Sequence, residues 1–151
     1  MGRFITISIL AALFLIFISY TPSRSVLNIF HECIKIKYEK ESFKKDEWQT
    51  PQKTQEIKKG DCEDIAILLL YLLRQNGYNA DVVFGITHKK SERFHAWVEL
   101  NFEGKIYVMD PTIGFIAQRK GMPKFTYIQV LGIPKLCDKI SEYKKRTGMN
   151  L

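Results

Sequence analysis

Several things are scarce in this 151-residue chain, and each scarcity narrows its class. It has only three cysteines, Cys33, Cys62 and Cys137, too few for a disulfide scaffold. Cys33 and Cys137 can pair with each other in an oxidising compartment, which leaves Cys62 free; equally, both suit small buried apolar positions. There are no internal repeats and no long linker, so the length fits one domain. Among the three histidines, His31 and His88 have no constellation around them and read as surface or loop residues. The net charge is +7, from 23 basic against 16 acidic residues, with the excess concentrated in Lys35 to Lys59 and Lys135 to Arg146. No aromatic-and-basic motif of a nucleic-acid module accompanies it. A solvated basic surface is therefore expected, without a nucleic-acid partner.

Charge is absent from Phe4 to Ser23, and Ile5 to Tyr20 is mostly aliphatic or aromatic. That run approaches the ~20 residues a helix needs to cross a bilayer. Ser19, Tyr20, Thr21 and Pro22 make a poor cleavage site, which favours a retained signal anchor over a cleaved signal peptide. No cysteine near its end supports a lipoprotein signal. Residues 1–23 are thus expected as the membrane segment and 24–151 as the domain. Arg3 and Arg24 flank the run on both sides, so the positive-inside rule is nearly silent. The expectation is a single-pass membrane protein with its domain outside the cytoplasm, or a secreted or periplasmic one if the segment is cut.

Beyond this segment, Val26, Ile29, Phe30, Cys33 and Ile34 recur at helical spacing, predicting a helix over Val26 to Tyr38. Trp48 to Lys59 has turn chemistry around Pro51 and no clear period, and reads as an ordered loop. Asp61 to Asn76 is the strongest helix, with Asp61 as cap, Asp64 in a capping-box position and Gly77 as the stop. Strand character follows over Asp81 to Ile86, Arg93 to Leu100 and Lys105 to Asp110, with a fourth candidate over Lys124 to Leu131. Lys135 to Arg146 reads as a short, weakly amphipathic helix. Helix first and antiparallel meander after is an α+β arrangement.

The chemistry begins at Cys62, in the first turn of the strongest helix. A helix N-terminus carries roughly half a positive charge, which favours thiolate, and the Cys62 N–H is placed to donate to an oxyanion. Asp61, Glu63 and Asp64 work against this, so a neighbouring imidazolium is needed. A cysteine at a helix start is, on its own, more often buried and inert. On the second strand, His95, Trp97 and Glu99 share one face while Phe94, Ala96, Val98 and Leu100 form the natural core face. If Phe102 and Glu103 make the following turn, His95 lies opposite Asp110. If Glu103 and Gly104 make it, the pairing slides by two and the two become diagonal neighbours. Glu-Gly suits a two-residue turn better, and either register keeps them within reach. A carboxylate beside an imidazole orients it and favours its charged form.

Gly60-Asp61-Cys62-Glu63-Asp64, running into Ala66 and the leucine-rich helix, resembles the nucleophile motif of the transglutaminase-like superfamily. Phe94 to Glu99 is similar to its histidine strand, and Tyr107 to Thr112 to its acid strand. Trp48-Gln49-Thr50-Pro51 adds a likeness to the bacterial transglutaminase-like cysteine proteinases. The resemblance implies a papain/transglutaminase-like core, its nucleophile at the start of a helix packed on an antiparallel sheet. It also implies Cys62, His95 and Asp110 as triad and a thioester formed from an amide. The product is then an amide hydrolase (peptidase or amidase) acting on a protein or peptide. With an amine acceptor it is a crosslinking transferase, and without chemistry an interaction domain of the same fold. No cofactor is required, though the resemblance implies calcium beside the nucleophile, on Asp61 and Glu63. Trp48 is a candidate second oxyanion donor through its indole N–H, although packing is the commoner use of such a residue.

Overall fold

The computed structural model describes residues 22–40, 47–91, 93–124, 126–130 and 134–151. The expected membrane segment lies outside them apart from Pro22 and Ser23. No helix among the described residues is long and apolar enough to cross a membrane.

Helix α1, Arg24–Cys33, is capped by the Ser23 hydroxyl and buries Val26, Phe30 and Cys33. It stops short of the expected Tyr38. Lys37–Tyr38 instead forms a short strand, β1, paired in parallel with β2, Lys59–Gly60. The stretch expected as a loop holds a seven-residue helix, α2, Pro51–Ile57. Its reason is local: the Thr50 side chain accepts from the Lys53 N–H, Pro51 stands where no donor is needed, and Lys58 closes the end at φ 56°.

Helix α3, Cys62–Gln75, has the expected capping box between Asp61 and Asp64. Its buried apolar side chains are Ile65, Ala66, Ile67, Leu68, Leu69, Leu70 and Leu73, with Asp64 buried beside them. Each large aliphatic so buried contributes roughly 1.5–3 kcal/mol, which makes α3 the axis of the core. The sheet beside it is antiparallel throughout: β3 Asn79–His88, β4 His95–Phe102, β5 Lys105–Asp110, β6 Phe115–Gln118 and β7 Thr126–Gln129, in the order β6-β5-β4-β3-β7. Strand β6 was not expected; its four residues are all half-buried and show no alternation.

Ala80, Val82, Ala96, Val98, Leu100, Tyr107 and Met109 face α3 in the main core. The opposite face carries a second cluster of Val83, Trp97, Val108 and Tyr127. Phe94 belongs to neither and is 57% exposed. Helix α4, Pro134–Thr147, closes over the 47–50 segment. Tyr143 is buried, its hydroxyl donates to the Gln49 carbonyl at 3.2 Å, and Arg146 donates to the Trp48 carbonyl. All three cysteines are free. Cys33 is a buried apolar residue whose thiol is pushed up to about 12 by burial. Cys137 is exposed on α4, so neither expected use of it applies.

Candidate active site

Cys62 is the first residue of α3, where its N–H has no acceptor within the helix. The turn before it is tightly built. Asp61 Oδ1 accepts the Asp64 N–H and Asp64 Oδ2 accepts the Asp61 N–H, each at 3.4 Å, while Asp64 Oδ1 accepts the Gln49 N–H at 2.7 Å. Gly60 is needed here, because a Cβ would stand 2.7 Å from that of Asp64.

His95 opens β4, and its Nε2 lies 2.7 Å from Asp110 Oδ2. The turn between β4 and β5 is made by Glu103 and Gly104, both at positive φ, and pairs Phe102 with Lys105. That is the second of the two expected registers, and it makes His95 and Asp110 diagonal neighbours. Asp110 is fully buried and its oxygens are all engaged: Oδ2 also accepts the Tyr127 hydroxyl at 2.9 Å, and Oδ1 accepts the Thr112 N–H at 3.1 Å. His95 Nδ1 remains on the side away from this bond.

The backbone N–H of Ala96, next after His95, favours the ionised form of the Cys62 sulfur. The thiol's own hydrogen bond goes to Glu63 Oε2 at 2.9 Å, and not to His95. Burial and then the Glu63 carboxylate push the Cys62 thiol well above its ordinary range, against the Ala96 N–H. The helix terminus therefore does not win here. Its half charge is outweighed by desolvation and an adjacent anion. Asp61 is likewise pushed up to about 8 by burial, then by the charges of Glu63 and Asp64 and a hydrogen bond with Glu63.

Two crowded carboxylates of this kind suit a hard divalent cation in donor type. Among the described residues, however, no group of three His, Cys, Asp or Glu side chains gathers as a metal site. Trp48 is buried, with its ring stacked on Phe84 at 5.1 Å and tilted against Tyr143 at 6.1 Å. Its indole N–H is buried without an acceptor. Three participants went unread in the sequence: Tyr127, the Thr112 N–H and Glu63 as acceptor of the thiol. Only Glu63, next to the cysteine, carried any signal.

A family model described as the transglutaminase-like superfamily matches residues 19–111, a span that includes Cys62, His95 and Asp110. The chain belongs to the transglutaminase-like superfamily. Legionella pneumophila LapG shares this superfamily member's fold with a TM-score of 0.60 at 17% identity, over 80% of this chain and 76% of LapG. Its calcium-bound form gives 0.56 at 15% identity, over 78% of each chain. A candidate cysteine protease from Cytophaga hutchinsonii gives 0.50 at 23% identity, over 62% of this chain and 34% of that one. No curated protein matches the chain.

Proposed function

We propose that this superfamily member is a cysteine-dependent amide hydrolase, a peptidase or amidase, with Cys62 as nucleophile, His95 as base and Asp110 as orienting acid. The observation that carries the reading is the 2.7 Å contact of His95 Nε2 with a buried, fully engaged Asp110. An aspartate so held fixes which ring nitrogen carries the proton and leaves Nδ1 to take the one from the thiol. The raised thiol makes that transfer necessary, since little thiolate exists without an imidazolium partner.

In the reaction, the Cys62 sulfur adds to the amide carbonyl and its proton passes to His95. The Cys62 N–H donates to the oxyanion. Collapse breaks the C–N bond, and His95 returns the proton to the departing amine. Water, deprotonated by His95, then cleaves the thioester and restores the thiol. Trp48 is left to packing. Phe94 and Ile113 stand 57% and 67% exposed beside His95 and in the turn after Asp110, an apolar rim suited to the side chains of a protein or peptide substrate. We further propose that residues 1–23 hold the domain at a membrane on its extracytoplasmic side.

Calcium fits this reading in kind. Asp61 and Glu63 would hold it, and the ion would supply positive charge that neutralises both carboxylates next to the thiol.

The deciding experiment alkylates the full-length chain, in mild detergent, with iodoacetamide at pH 6.5, in calcium and in EGTA. Mass spectrometry compares wild type, His95→Ala and Cys62→Ala. Labelling of Cys62 that is slowed at least tenfold by His95→Ala supports the hydrolase. Indifference of Cys62 to His95 in both buffers removes it. Peptides then incubated with the protein and a primary amine report water or amine as acceptor by product mass.

A further inference from the structure

Tyr127 lies outside every motif of the sequence, yet among the described residues it makes the one side-chain bond to Asp110 other than that of His95. It sits in β7 with φ 48°, a left-handed backbone that an aromatic residue rarely adopts inside a strand. Three things hold it there. Arg119 Nη1 donates to the Tyr127 carbonyl at 2.9 Å and to the Thr126 carbonyl at 3.4 Å, and the same guanidinium pairs with Glu99 of β4. The Tyr127 ring stacks on Phe115 at 5.4 Å and meets Trp97 edge-on at 5.2 Å. Gly85 of β3 lets β7 approach closely, since a Cβ there would fall 2.1 Å from the Ile128 carbonyl oxygen.

Strain of this kind persists only where surrounding structure over-determines it. Here the left-handed turn of the backbone accompanies a phenol that reaches the oxygen of Asp110 also bound by His95.

We infer that Tyr127 is a positioning residue for the His95–Asp110 pair, held in place by Arg119 and Glu99. The inference rests on the hydrolase reading of that pair. The phenol is a neutral donor, so it fixes the carboxylate's plane without competing for the histidine's proton. Thr112 and Tyr127 hold one oxygen each. Only His95 is left as the mobile partner, and its ring follows the carboxylate.

The test uses full-length protein and iodoacetamide, with Cys62 labelling followed from pH 6 to pH 9.5 in wild type, Tyr127→Phe, Arg119→Lys and His95→Ala. Tyr127→Phe keeps both ring contacts and removes only the hydroxyl. The expected result is about a tenfold slower labelling at pH 6–7, from loss of a bond to a charged group. The deficit shrinks toward pH 9.5 as hydroxide replaces His95 as base, while Cys137 labelling and the melting temperature stay at wild-type values. A purely structural role slows all pH values alike or lowers the melting temperature. Unchanged labelling in Tyr127→Phe, with His95→Ala slow, overturns the inference and leaves the hydrolase standing. Indifference to His95→Ala overturns both. Should Tyr127→Phe melt early, Arg119→Lys decides. It keeps the hydroxyl but gives up the guanidinium fork that holds the Tyr127 carbonyl and Glu99, so the same low-pH deficit supports the inference while wild-type rates overturn it.

Discussion

Glu63 faces two neighbours at once, accepting the Cys62 thiol on one side and bonding the Asp61 carboxyl on the other. Both groups are pushed up by burial first and by this carboxylate second. Glu63→Gln removes the anion, so the thiol ionises at lower pH. The pH profile of Cys62 alkylation is expected to move toward acid, with several-fold faster labelling at pH 7. A second expectation concerns stability. Asp61 holds its proton up to about pH 8 in the fold, against an ordinary value of 3.8. A raised carboxyl stabilises the fold fully below the ordinary value and loses that contribution as pH climbs through the raised one. Wild type should therefore lose melting temperature between pH 4 and pH 8. Asp61→Asn, an equally good cap, should flatten that slope by several degrees in calorimetry. The triad candidates were legible because each falls in a local pattern: a capped helix start, a strand alternation, a residue before proline. Tyr127 was not, because nothing near it in the chain records that Asp110 lies across two strands.

At the scale of elements, legibility followed length and period. α3 was read within a residue at each end, since seven buried apolar residues and a reciprocal cap agree. β5 was read without error, and the Glu-Gly turn selected the observed register. α2 was missed although Thr50-Pro51 is a start signal, because seven residues span too few turns to show a period. β1 and β2 are two residues each and exist only through one another. β7 tests how closely elements are matched. Gly85→Ala places a methyl against a strand carbonyl that has no flexible tip to yield. The expected cost is at the upper end of the ~1–3 kcal/mol seen for overpacking, and denaturant titration measures it. Trp97 emission should change with it, because the Gly85 Cβ also meets that indole at 2.8 Å.

Across the whole molecule, the last helix reaches back to the segment that precedes the nucleophile. Tyr143 and Arg146 hold the carbonyls of Gln49 and Trp48, and the Gln49 N–H in turn holds Asp64 in the first turn of α3. Tyr143→Ala should destabilise by ~3–5 kcal/mol, as large aromatic truncations do, and should red-shift Trp48 fluorescence as water enters. The order of these parts along the chain has a consequence for synthesis. Cys62, His95 and Asp110 leave the ribosome before β7 and α4 exist to set them. A nascent chain thus carries all three side chains while the strand that bonds Asp110 and the helix that braces α3 are still untranslated. The buried bonds of Asp110 are therefore completed only once β7 has been made, and the brace on α3 only once α4 has.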